Sequence, residues 1–175
     1  MKYRIFLSLL VLSSLTSPLT AFEAGDTIVS QDLAVDFVVA QTAGCRLLPE
    51  SECRLVSTDP ATMKIALASG NIILNIKKLP QTSTFTVETP TAVASVRGTQ
   101  FWGRVVPDIP DNPAATFAVR EGSVEITVLK DNKTFLLHEG QALDILKEPL
   151  VSPSVRPALP EELAALEQAP GIPTE

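Results

Sequence analysis

Short runs of alternating apolar and polar residues recur between Thr27 and Leu146. Ile72, Leu74 and Ile76 fall on one side of an extended chain, with Asn75 and Lys77 on the other. Val124, Ile126 and Val128 alternate with Glu125 and Thr127, and Phe117 and Val119 with Ala118 and Arg120. Phe135 and Leu137 flank Leu136, with His138 beyond, and Leu143 and Ile145 flank Asp144. A period of two predicts strands with one face buried. Turn residues restart the pattern at Ser69-Gly70-Asn71, Glu121-Gly122-Ser123 and Glu139-Gly140-Gln141. Lys130-Asp131-Asn132-Lys133 predicts a polar hairpin loop. The segment from Pro107 to Pro113 carries three prolines and is expected as a surface loop, because proline cannot donate to a central ladder.

The punctuation repeats. Ile65-x-Leu67-x-x-Gly70-x-Ile72-x-Leu74 matches Phe117-x-Val119-x-x-Gly122-x-Val124-x-Ile126, and Phe135-x-Leu137-His138-Glu139-Gly140 echoes Phe117-x-Val119-Arg120-Glu121-Gly122. Each unit reads as strand, glycine corner, strand. Such units predict an all-β fold, a β-roll or solenoid-like double sheet of short strands. Each glycine would occupy a positive-φ or tightly packed corner. An ordinary antiparallel sandwich gives a similar pattern. After Lys147 the character changes, with six of the 14 prolines between Pro149 and Pro173. Inside this tail Pro160–Glu167 predicts a short C-terminal helix, with proline at its start and acids in its first turn. Leu159, Leu163 and Leu166 share one face, expected to pack on the edge of the domain.

The first 21 residues have the layout of a secretory signal peptide: Lys2 and Arg4, an apolar run from Ile5 to Leu15, then small and polar residues ending at Ala21. Cleavage after Ala21 gives a periplasmic or secreted chain. An uncleaved anchor is the alternative, but the apolar run is about half of the ~20 residues a spanning helix needs. Contact with a membrane is expected only in that case. Export also bears on Cys45 and Cys53, separated by seven residues. In an oxidising compartment this spacing predicts a disulfide across a hairpin or Ω-like loop, contributing roughly 2.5 kcal/mol in the chain-entropy model. It matches no common zinc spacing. The expected division is then 1–21 signal peptide, 22–60 N-terminal strands with the cysteine loop, 61–147 the main β domain, and 148–175 a proline-rich tail.

Composition adds exclusions. The chain is 45% apolar and 19% charged, enough to build a core. Its net charge is −6 and becomes −8 once Lys2 and Arg4 are removed. No basic run interleaved with aromatics occurs, so nucleic acid is not an expected partner. His138, the only histidine, falls on the outward side of its strand. Ser123 and Asp144 exist, yet no nucleophile-elbow motif frames a serine. No phosphate loop, dinucleotide fingerprint or metal cluster is present in the sequence. The expectation is a protein that is not an enzyme and needs no cofactor.

The most distinctive run is Phe85-x-Val87-x-Thr89-Pro90-x-Ala92-x-x-x-Val96-Arg97-Gly98-Thr99-x-Phe101, followed by Val119-x-x-Gly122-x-Val124 and Gly140-Gln141-x-Leu143. This resembles the core signature of the FecR domain family, the periplasmic domain of ferric-citrate-type transmembrane signalling regulators. The resemblance covers about Ala61 to Ile145. It implies a roll-like periplasmic β domain, here in a stand-alone exported form without a cytoplasmic anti-sigma segment or a later membrane span. The expected role is protein interaction or signal relay with an envelope protein as partner. Binding of cell-wall glycan or another extracellular polymer is the alternative. Arg97 is expected either to bond carbonyls at its own turn or to contact a partner. Trp102 is expected either to pack against the sheet or to anchor a partner.

Overall fold

A computed structural model describes residues 22–106, 114–146, 152–167 and 169–171. The expected signal peptide and the loop 107–113 lie outside the described residues. Among the described residues are β1 (Thr27–Ser30), β2 (Val35–Val39), β3 (Ala43–Leu47), β4 (Ser51–Ser57), β5 (Thr62–Ile76), β6 (Thr84–Glu88), β7 (Ala92–Val96), β8 (Gln100–Val105), β9 (Ala115–Glu121), β10 (Ser123–Val128), β11 (Thr134–His138), β12 (Gln141–Ile145), β13 (Val155–Pro157) and α1 (Pro160–Leu166).

Two sheets face each other. The first runs β1-β4-β5-β6-β7-β10-β11 and the second β2-β3-β5-β8-β9-β12-β13. Strand β5 belongs to both. Its residues Thr62–Ala66 pair with β6, and Gly70–Asn75 pair with β8. At 15 residues it is nearly three times the length of an ordinary strand of about 5–6, because it leaves one sheet and enters the other. The β5–β6 pairing is parallel, and the other pairings are antiparallel. The residues predicted to alternate inward do so. Ile72, Leu74, Phe117, Val119, Val124, Ile126, Leu137, Leu143 and Ile145 are buried in one cluster between the sheets. Leu136 faces outward. The all-β double sheet with a short C-terminal helix is therefore present.

The glycine corners are the crossings between sheets. β7 passes to β8 at Gly98, β9 to β10 at Gly122 and β11 to β12 at Gly140, with φ of +87°, +84° and +74°. The registers Val124↔Val96 and Ser123↔His138 bring these three corners to one end of the molecule. Met63, at the start of β5, is level with Phe85 and hence with Val96, so the fourth corner, Gly70 at φ +81°, sits at the opposite end. Neighbouring corners stack. A Cβ on Gly122 would lie 2.7 Å from the Gly98 carbonyl oxygen. Beside it, Thr99 Oγ1 donates to the Ser123 carbonyl at 2.9 Å. No side chain fits between them, so the repeat demands glycine there for space as well as for φ.

The C-terminal segment straps the second sheet. β13 adds to the free edge of β12, and α1 crosses the outer face rather than the edge. Leu166 packs there with Ile73, Trp102, Ala118 and Ala142. The end of the strap reaches β3 and β5, where Asn75 Nδ2 donates to the Pro170 carbonyl at 3.2 Å. Strands β1 to β4 of the 22–60 segment are built into the same two sheets as the rest.

Candidate functional site

The signature residues build the fold rather than a pocket of chemistry. Phe85, Val87, Ala92, Ala94, Val96 and Phe101 are core. Thr89 caps the β6–β7 turn: its Oγ1 donates to the Ala92 carbonyl at 3.0 Å and accepts from the amides of Thr91 and Ala92 at 3.4 and 3.0 Å. Thr99 ties its corner to β5 through paired backbone bonds with Ile76 of 3.0 and 3.1 Å. Pro90 is exposed at the same turn as Thr89. Gly122 and Gly140 are the corners already described.

Arg97 is exposed at the Gly98 corner and makes no ion pair among the described residues. Trp102 lies beneath α1 with 8% of its surface accessible, so in this arrangement it packs against the sheet and offers nothing to a partner. His138 is exposed and sits opposite Ser123 across the β10–β11 ladder. Asp144 is on the other sheet, engaged elsewhere, so these three side chains do not converge. Among the described residues no group of three or more His, Cys, Asp or Glu is placed to hold a metal ion.

The expected disulfide is not formed in this structure. Cys45 and Cys53 are free thiols, both buried. The segment between them is not a hairpin but the passage from β3 of the second sheet to β4 of the first. Each thiol fills core on its own sheet, and Cys45 Sγ makes a weak 3.9 Å contact to the Ala43 carbonyl. Burial pushes both thiols up, Cys45 well above its ordinary value with Cys53 adding to the effect, and Cys53 to about 12 with the Glu52 charge adding. Such thiols are inert, since the thiolate is the reactive form. The native protein at pH 8 is expected to resist iodoacetamide and to take up two labels per chain once unfolded. Prompt labelling of the folded chain, read by intact mass, would contradict the buried placement.

Sequence reasoning missed an ionic cluster formed by Asp144, Arg156 and Glu162. Arg156, in β13, donates through Nε and Nη2 to Asp144 at 2.6 and 3.0 Å, and through Nη1 and Nη2 to Glu162 at 2.9 and 2.6 Å. Glu162 Oε2 also accepts from the Leu159 amide at 2.7 Å, closing the first turn of α1. Asp144 accepts a further bond from Thr116 Oγ1 at 2.9 Å. Burial pushes the Asp144 carboxyl up, but the hydrogen bonds from Arg156 and Thr116, with the guanidinium charge, hold it below the usual carboxylate range. The Glu162 and Asp144 hydrogen bonds raise Arg156 in turn. The spacing of Asp144, Arg156 and Glu162 carries no motif, and the cluster forms only because β13 joins β12. Its role is to hold the strap.

At the end opposite the three stacked corners the sheets part around an apolar cavity of about 600 Å³. Val105, Val128 and Ile145 lie in its depth, and Pro90, Thr91 and Lys130 at its rim. Thr91 Oγ1 is buried without a hydrogen-bond partner. Its apolar walls and the orphaned hydroxyl make this concavity a candidate site.

The family model for FecR protein matches residues 26–125. The chain belongs to the FecR family. The match begins at Asp26, so it takes in β1 to β4, a region in which the sequence signature gave no sign of the family, and it ends at Glu125 within β10. Two crystal structures of a candidate anti-sigma factor from Parabacteroides distasonis ATCC 8503 share the fold of this FecR chain, each with a TM-score of 0.66 and 14% sequence identity. The overlap covers 81% of this chain and 64% of that one, so the chain spans under two-thirds of the length of that neighbour. At such identity the likeness is one of fold. No curated protein matches the sequence.

Proposed function

We propose that this FecR-family chain is a non-catalytic signalling module of the cell envelope, exported through its N-terminal segment and acting by binding an envelope protein. The family match over residues 26–125 carries the reading. The fold adds a reason for placing the interaction on one side. The outer face of the second sheet is covered by the strap, whereas the outer face of the first, with Thr86, Val93, Ser95 and Glu125, has no cover among the described residues. Arg97 stands at the end of that same face, exposed and without an ion pair among the described residues, in an acidic chain. The alternative, recognition of an extracellular polymer, would use an exposed aromatic platform, and the strap covers Trp102.

Two measurements test the proposal. The mass of the protein recovered from the periplasm is expected to start at Phe22; a full-length product in the membrane fraction contradicts export with cleavage. A photo-crosslinker at Ser95 is expected to give a discrete protein adduct that Arg97→Glu abolishes, and one at Leu159 none. Adducts of equal yield from both positions, or retention of the chain on purified sacculus alone, would rule out the protein-binding face.

A further inference from the structure

The cavity between the open ends of the sheets has features that the signalling reading does not use. Its depth is formed by Val105, Val128 and Ile145, the last inward-facing residues of β8, β10 and β12. About 600 Å³ lies within the range of small-molecule sites, which combine apolar walls with a few placed polar groups.

The first polar group is Thr91. Its amide donates to Thr89 Oγ1 and its carbonyl accepts from the Leu129 amide at 2.9 Å, so the backbone is satisfied. Its Oγ1 is buried and unpartnered, the one side-chain polar atom in that condition among the described residues. Buried hydroxyls are nearly always bonded, because desolvation without a partner is costly. The second group is Lys130, next in sequence to the residue paired with Thr91. It lines the rim and makes no ion pair among the described residues. Asp131 beside it is held by Lys133 at 2.9 Å. Among the described residues the hairpin therefore presents Lys130 as an unpaired positive charge at the mouth of an apolar cavity, in a chain whose net charge is −6.

We propose that the cavity binds a single-chain anionic amphiphile. Its alkyl chain lies between the sheets against Val105, Val128 and Ile145. Its anionic head accepts a hydrogen bond from Thr91 Oγ1 and pairs with the Lys130 ammonium. The assignment stands independently of the protein partner, since it uses the opposite end of the molecule from Arg97.

Titration calorimetry with laurate below its critical micelle concentration tests it. One saturable site is expected, with dodecyltrimethylammonium binding at least tenfold more weakly. Thr91→Val keeps the shape and removes the orphaned hydroxyl. It is expected to raise the melting temperature while lowering laurate affinity fivefold or more, a split that general damage to the fold would not produce. Lys130→Glu is expected to lower affinity at least tenfold, and Val128→Trp to abolish binding by filling the cavity. Equal affinity for the cationic detergent, or laurate binding untouched by both Thr91→Val and Lys130→Glu, would overturn the proposal. So would binding that appears only after residues 108–112 are replaced by a glycine-serine linker, which would make the chain's own loop the occupant.

Discussion

Gly70→Ala is expected to destabilise the protein by about 4 kcal/mol, a large part of the roughly 5–15 kcal/mol that holds such a domain folded. A Cβ at this position would overlap Ser51 Oγ and lie 2.5 Å from Ser51 Cα. Neither atom is free to yield. Ser51 starts β4, is paired with Ser30 of β1, and its Oγ accepts from the Asn71 amide at 2.8 Å while donating to the Pro49 carbonyl at 3.1 Å. Overpacking costs about 1–3 kcal/mol, and the left-handed backbone at φ +81° adds about 1–2 kcal/mol for any residue with a Cβ. Gly140→Ala is the internal control. Its φ is +74°, but nothing lies within 4 Å of the added atom, so about 1 kcal/mol is expected. Urea denaturation of the two variants separates the contributions. Equal losses would mean that the bend of β5 is not sterically fixed by Ser51.

Arg156→Ala is expected to release the strap at a cost of about 2 kcal/mol without unfolding the sheets. Removing one partner of a buried pair typically costs about 3–5 kcal/mol, and partial exposure reduces that here. The side chains of Arg156 and Asp144 are 27% and 32% exposed, and that of Glu162 is 7%. Without the guanidinium, the Glu162 carboxylate is left nearly buried with only the Leu159 amide. Trp102, the only tryptophan, reports the event directly because α1 covers it. Its emission should shift to the red in the variant, and trypsin or glutamyl protease should clip the tail while the double sheet persists. Acid has the same direction of effect. The folded Asp144 carboxyl lies below its ordinary value, so its contribution is full above the unfolded-state value of about 4 and is lost as pH falls through the lower folded-state value. The Trp102 shift in the native chain should therefore develop below about pH 4 and should be absent from Arg156→Ala, whose strap is already free. Unchanged emission in the variant would show that apolar packing under Leu166 alone holds α1.

The inner faces and the corners were readable because each is a local signal. The alternation of Val124, Ile126 and Val128 needs only its own strand, and Gly122 and Gly140 announce themselves by recurring after the same strand pattern. The outer face of the second sheet was not readable. Ile73 and Ala118 sit at positions that a period of two assigns to solvent, yet both are fully buried, because a helix some fifty to ninety residues away in sequence lies over them. The Asp144–Arg156–Glu162 cluster is hidden although its members lie only 12 and 6 residues apart, because they meet only once β13 has joined β12. The cysteine spacing was silent on the path of the chain for a different reason. It measures loop length and says nothing of whether the loop turns back within one sheet or crosses to the other. The cavity escaped notice because its walls are the ends of separate strands. Thr91 stands at a variable position within the family signature, and its orphaned hydroxyl exists only once β10 has been laid beside β7.

The sharing of β5 sets how the molecule opens. A strand covalently continuous between two sheets is a spine, and because the Gly98, Gly122 and Gly140 corners also join the sheets, they can part only at the end away from those corners. The mouth of the cavity lies at that end. Slow amide exchange should therefore be centred on Leu67–Leu74 and fall away in both directions across the ladders, so that the molecule breathes like a book held by its binding.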